Sequence, residues 1–383
     1  MDVIALADSQ RELRRFHPLT SLILLTGGGF WHGAPLLAAS AMRASNLAAL
    51  IPIFRWARVV LVEYPWQFET CRRLTPPGTP CVYSSVNVET DKFRSWAEAV
   101  GVSRAVAAPW LHYVRRAERN AVARADLVTT VSQHDREQFI DRFSADPART
   151  VVVPNGVDTG HVRPVSAEQR AAARRELGLP DGPVVLFQGA DMPANRAGLK
   201  WVRRLAASDG RFTFLVAGSV AAPERAGRFV AAGSVPDMRP YLAAADFALC
   251  PIAHGGGTKL KLFECMAAGL PTVVFAEAIR GTVARPDEHV LTAGEDEREI
   301  LAALASLADN PELAADVGTA ARELAERSYD WTGIAAGLER ALVELTSDGA
   351  RQRRSVITDH ATSKGNTSGC SRKPIGPWLS SGN

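Results

Sequence analysis

Several kinds of feature are missing from this 383-residue chain, and each absence removes a class. Its five cysteines (Cys71, Cys81, Cys250, Cys265, Cys370) are dispersed, without a Cys-x-x-Cys pair or a histidine at metal-ligand spacing. That excludes a zinc module or a disulfide framework and suits a reducing, cytoplasmic setting. The longest uncharged region, Phe16–Met42, is broken by Gly27-Gly28-Gly29, Gly33 and Pro35, leaving pieces too short to cross a bilayer as a helix. Residues 1–15 carry Asp2, Asp8, Glu12 and three arginines, which is not the pattern of a secretory leader. Charge of one sign is also lacking. The net charge is +3, and six Lys/Arg against two acids beyond Thr346 account for it, so the body is close to neutral. Such a body has no electrostatic footprint for nucleic acid. No short-period repeat occurs, and neither a Walker A loop nor a strand-GxGxxG-helix unit with its later acid is present.

What is present is an alternation of short β-branched runs with longer helical patterns, the mark of βαβ units and parallel sheets. Strands are predicted at Leu22–Leu25, Val59–Val62, Cys81–Ser84, Leu127–Val131 and Val151–Val153. Others follow at Val184–Gln188, Phe212–Ala217, Phe247–Cys250 and Thr272–Phe275. Helices are predicted over Tyr113–Ala125, over Ala167–Leu177 with Gly178 and Pro180 as stop signals, and over Tyr329–Leu345. The units form two sets divided near Arg163–Asp181. The fold class is therefore α/β, with one Rossmann-like lobe over 1–162 and a second over 163–345. The two sheets face across a cleft, and ligands are expected outside the carboxyl ends of their strands. Residues 346–383 turn Ser-, Gly- and Lys/Arg-rich and read as a disordered basic tail.

The most informative stretch is Pro251–Pro271, PIAHGGGTKLKLFECMAAGLP. A strand runs into Gly255-Gly256-Gly257, then Thr258, then a helix from about Lys259 to Ala268 ended by Gly269 and Pro271. Glycines before a helix N-terminus let backbone N–H groups approach an anion, and the helix dipole favours its charge. Lys259 or Lys261 can add a point charge for a diphosphate. Glu264 lies about a turn beyond Lys261 on the same face, where a carboxylate can accept from ribose hydroxyls. The bland alternative is a closed turn followed by solvated helix charges.

In order along the chain, RADLVTTVSQHDREQF, VVVPNGVD, LFQGADMPANRAGLKWV, GSVPDMRPYLAAADFALCP and GGGTKLKLFECMAAGLPTVV resemble the family-4 (group 1) retaining glycosyltransferases of the GT-B fold. The resemblance covers most of residues 60–345. It implies a nucleotide-sugar donor site in the second lobe and transfer of a sugar to an acceptor hydroxyl with retention. Carried over residue by residue, Glu264 matches the second of the family's two glutamates, and the position of the first is Gly256. The sugar is then held partly by the backbone of Gly255–Thr258. Lys259 and Lys261 match basic positions of the motif, Lys261 also standing as a catalytic candidate. Gly189 and Asn195 match the glycine and asparagine that open the second lobe, and Ser234 and Val235 lie in the nucleobase loop.

On the acceptor side, VEYPWQF and VYSSVNVETDKF resemble the family's loops, with Asn87 and Glu89 as catalytic candidates. The family's histidine before the Asn-Val-Glu triplet is here Val86, and the competing reading of Asn87 and Glu89 is a strand-end turn with a solvated acid. Asp2–Ala7 reads as the family's second strand, so that either Gly27-Gly28-Gly29 supplies the opening loop or the first βα unit is absent; the shortened form is preferred. The resemblance implies no cofactor and no metal, in keeping with the absence of any Asp-x-Asp pair. Implied partners are a nucleotide-sugar donor and a carbohydrate, lipid or small-molecule acceptor. Contact with the inner face of a membrane through the arginines of Tyr113–Ala125 is left open. Two rival functions stay open: a non-catalytic sugar-nucleotide-binding or regulatory protein, and a sugar-nucleotide epimerase or hydrolase of the same architecture.

Overall fold

The computed structural model describes residues 54–254 and 257–363. The readings placed on Asp2–Ala7, Leu22–Leu25, Gly27–Gly29, Gly255 and Gly256 lie outside the described residues.

The first described sheet has four parallel strands in the order β1 (Val60–Val62), β2 (Cys81–Ser84), β3 (Leu127–Thr130) and β4 (Thr150–Val152). Between them run α1 (Pro65–Leu74), α2 (Glu89–Ala99), α3 (Arg104–Arg124) and α4 (Gln133–Phe143). Phe68, Tyr83, Phe139 and Phe143 fill the core beneath this sheet, with Tyr83 edge-on to both Phe68 and Phe139. Helix α3 starts nine residues before the predicted Tyr113 and carries Pro109 inside it. Pro109 lies past the amides left free by the first turn, so it costs the helix one ladder hydrogen bond.

The second sheet has seven strands in the order β11-β10-β9-β5-β6-β8-β7. These are β5 (Val184–Gln188), β6 (Thr213–Ala217), β7 (Glu224–Ala226), β8 (Phe229–Ala231), β9 (Phe247–Cys250), β10 (Thr272–Val274) and β11 (Leu291–Thr292). All pairs are parallel except the β7–β8 hairpin. Strand β5 is buried on both faces, Val185 and Phe187 toward one core and Val184 and Leu186 toward the other, as a central parallel strand requires. Around the sheet lie α5 (Ala167–Glu176), α6 (Pro193–Ser208), α7 (Arg239–Ala244), α8 (Leu260–Ala267), α9 (Glu297–Asp309) and α10 (Pro311–Ser328). Helix α5 opens on a capping box of Ser166 and Gln169. It closes where Gly178 takes a left-handed φ of 58°.

Strands β7, β8 and β11 have no counterpart in the sequence reading. They are two or three residues long, too short for an alternation to register.

Helix α11 (Trp331–Ser363) returns to the first sheet, where Leu342 packs with Val82 and Leu127, flanked by Leu338, Ala341 and Leu345. The spacing puts one helical stripe against the sheet. The helix extends past the predicted Leu345 into the basic segment, to Ser363. After Gly349 that segment contains no glycine or proline to stop it.

Candidate active site

The order β9-β5-β6 makes the carboxyl ends of β5 and β9 a topological switch point, the crevice where open α/β sheets take ligands. The two segments singled out for the donor leave from those two ends. Gly189 follows β5, and a Cβ there would come within 2.8 Å of Asn195 Cγ at the start of α6. The Asn195 side chain is fixed by donating to Ala190 O at 2.8 Å, and it accepts a hydrogen bond from the Lys261 ammonium. Lys261, in the first turn of α8, also lies 5.3 Å from the Phe187 ring centroid. Gly189, Asn195 and Lys261 thus form one connected unit.

Lys259 is buried beside it, donating to Gly257 O at 2.8 Å and lying 4.0 Å from Glu277. Burial lowers the pKa of both lysines. The half-buried Glu264 carboxyl is raised by burial, against the pull of its hydrogen bond to Gln188 and the charge of Lys261. Ser234 is exposed, while Val235 packs against the core around Leu242, so the loop offers backbone groups more than side chains. Gly233 O accepts from Gly218 N at 2.8 Å, which holds this loop beside Gly189.

The facing wall comes from the first lobe, and the lobes meet at Gly257. Its φ is 68°, and a Cβ there would run into Asn87 Oδ1. Asn155, in the junction after β4, donates to Thr258 Oγ1 at 2.8 Å and ties the same loop from below. A small space of about 30 Å³ remains between the lobes, lined by Gly257, Arg280, Ser132 and Asp135 among others. Asn87 donates to Glu89 Oε1 at 3.2 Å, and Lys92 lies 3.6 Å from the same oxygen. Glu89 is only 5% exposed, so the solvated-acid reading of this residue does not hold. Val86 is half-buried.

Sequence reasoning passed over two residues of this region. Asn155 lies within VVVPNGVD, where nothing local marks it out. Glu118 lies among the arginines of α3. Arg115, Arg116 and Arg119 are indeed exposed, but Glu118 is wholly buried, and burial pushes its carboxyl up to about 7. Its place on the α3 face that also buries Val114, Ala121 and Val122 was the available signal. Among the described residues no group of three or more His, Cys, Asp or Glu is placed to hold a metal ion, and no helix is long and apolar enough to cross a membrane.

The likeness to known proteins agrees with this geometry. "Glycosyltransferase Family 4" matches residues 3–161, and "Glycosyl transferases group 1" matches residues 182–310. The chain belongs to the group 1, family 4 glycosyltransferases. A D-inositol 3-phosphate glycosyltransferase of Acidothermus cellulolyticus is 29% identical over 272 residues, 64% of this chain and 58% of that protein. A GDP-mannose-dependent monoacylated alpha-(1-6)-phosphatidylinositol monomannoside mannosyltransferase of Corynebacterium glutamicum is 25% identical, over 61% of this chain and 68% of its own length. The chain thus spans roughly half to two-thirds of the curated relatives it matches. Among solved structures, sucrose-phosphate synthase from Thermosynechococcus elongatus superposes with a TM-score of 0.62 at 20% identity, covering 79% of this chain and 77% of that one. Anabaena HepE in complex with UDP gives 0.62 at 15% identity, over 80% and 84%. The fold is GT-B.

Proposed function

We propose that this glycosyltransferase moves a sugar from a nucleotide diphosphate sugar to an acceptor hydroxyl, with retention at the anomeric carbon and without a metal ion. The observation that carries the reading is the pair of desolvated lysines, Lys259 and Lys261, beside the glycine loop at the start of α8. Their charged forms are disfavoured until an anion arrives, and a diphosphate supplies it. The family neighbour HepE is described in complex with UDP and with UDP-glucose, and the Corynebacterium relative is named for GDP-mannose. Both point to a nucleoside diphosphate sugar as donor.

In the proposed step the anomeric carbon–oxygen bond to the diphosphate breaks while the acceptor oxygen bonds to the same face of that carbon. The acceptor proton passes to the leaving diphosphate oxygen. Lys259, Lys261 and the loop N–H groups offset the charge that develops there, the work otherwise given to a metal. Glu264 holds the ribose, and Asn87 and Glu89 face the acceptor. A second reading, binding without turnover, is favoured by one observation: Val86 stands where the family places a histidine and can neither orient a hydroxyl nor carry a proton.

Thermal unfolding with UDP, GDP, ADP and dTDP separates the cases, since a ligand bound only by the folded state raises the midpoint. A rise with one of them, lost in Glu264→Ala, supports the donor site and names the base. Release of that nucleoside diphosphate from its sugar on addition of acceptor then supports transfer. Binding with no release under any acceptor supports the second reading, and no rise with any nucleotide sinks both.

A further inference from the structure

Helix α2 begins without a cap of its own. Its N-cap residue is Val88, which has no side-chain acceptor, so the amides of Glu89 and Thr90 lack the usual partner. A carboxylate from another helix fills the gap. Glu118 of α3 accepts from Glu89 N at 2.6 Å through one oxygen. Its other oxygen accepts from Thr90 N at 3.1 Å and from the Thr90 hydroxyl. The short segment 85–88 that leads into this fixed helix start carries Asn87, whose Oδ1 lies against Gly257 of the donor loop. Ser85, at the near end of the same segment, donates to Asn87 O at 2.6 Å.

We infer that Glu118 is a positioning residue for the transfer reaction, holding the Asn87–Glu89 turn against the donor loop so that the acceptor wall of the cleft is formed. The inference rests on the reading under Proposed function.

Glu118 is a poor choice for stability alone. Its raised pKa means that the folded state prefers the protonated form. The corresponding stability is present at low pH and is lost as pH rises through about 7. Among the described residues no Lys or Arg forms an ion pair with it; Arg142 feels its charge but is held by Asp91. The titratable groups facing it are Glu89 of α2, Tyr83 of β2, which burial and the two nearby glutamates hold protonated, and Arg142 of α4, whose guanidinium is engaged by Asp91 at 2.5 and 2.9 Å. A neutral cap would avoid the desolvation cost of the carboxylate. What only a carboxylate supplies is two pure acceptor oxygens for three donors in one fixed arrangement.

The test compares the full chain with Glu118→Gln and Glu118→Ala by three readouts. They are amide exchange, affinity for the nucleotide found to bind, and the rate and pH profile of nucleoside diphosphate release from its sugar. In Glu118→Ala, exchange over residues 86–92 should rise and turnover should fall by at least about tenfold, while nucleotide affinity and exchange over β5 stay put. Glu118→Gln, which keeps one acceptor, should lose less turnover. It should also lack the decline expected of wild-type turnover as pH falls below about 7 and Glu118 protonates. Unchanged exchange over residues 86–92 in Glu118→Ala, or a nucleotide affinity that falls in step with turnover, overturns the inference. If the wild type releases no nucleotide from any donor, the functional reading fails by itself, and the exchange comparison still decides what Glu118 holds.

Discussion

The two walls of the cleft differ in which charges they bury and in how they are built. On the second lobe the buried cations are Lys259, at the N-cap of α8, and Lys261, in its first turn, tied to Gly257 and Asn195, with Glu264 a turn further on. On the first lobe the buried groups are acids, Glu89 and Glu118, with Asp91 and Asp135 close by at the lobe contact. The cationic wall is local in sequence, since one strand, one loop and one helix supply most of it. The acidic wall needs α3 to reach across to α2. A diphosphate is matched by the first kind of wall and a hydroxyl donor by the second. The difference teaches that affinity for the nucleotide and turnover should be separable, each residing in its own lobe.

The sharpest way to break that division is Lys261→Ala. It removes the ammonium bonded to Asn195 and leaves any bound diphosphate short of a charged donor. Hydrogen bonds to charged groups contribute about 1.5–3 kcal/mol, so nucleotide affinity should weaken by roughly tenfold to a hundredfold in a calorimetric titration. Exchange protection over Asn87–Thr90 should not change. A Lys261→Ala protein that binds nucleotide as tightly as wild type would remove the donor wall from its assigned place.

How far each wall could be read in the sequence follows from the same difference. Gly189, Asn195, Lys259, Lys261 and Glu264 stood out in the sequence because glycines and charges at a strand-to-helix turn have a local meaning, and the switch point at β5 and β9 brings the two segments together. Strands β2, β5, β6 and β9 were legible because burial on one or both faces writes a dense apolar run. Glu118 was not, since its identity as a cap depends on where a helix 28 residues away begins. Asn155 needed a partner 103 residues on. Helix α11 was placed at its start but not at its end, because the basic composition beyond Thr346 outweighed the lack of a breaker.

Gly257→Ala probes the line where the walls meet, with a smaller effect. Alanine at φ 68° costs about 1–2 kcal/mol, and its Cβ would also collide with Asn87 Oδ1. Denaturant unfolding should show the loss. Adding Asn87→Gly should recover the part due to the collision and leave the part due to the backbone. Complete recovery in the double variant would mean that the left-handed turn carries no strain, and no recovery would mean that Asn87 and Gly257 do not meet in solution.

The smallest effect expected is a fraction of a proton, and it bears directly on why the donor wall is buried. Burial lowers the pKa of Lys259 and Lys261 in the empty cleft. A bound diphosphate favours the charged forms and raises them again. Between the lowered and the restored values, binding must therefore take up protons, and affinity is greatest below that window and declines as pH rises through it. Titrations in buffers of different ionisation enthalpy read the uptake directly, and Lys261→Ala should diminish it. Proton release in place of uptake, or no dependence on the buffer, would mean that the lysines are already charged without a ligand. The burial of the donor wall would then have no electrostatic role in holding the nucleotide.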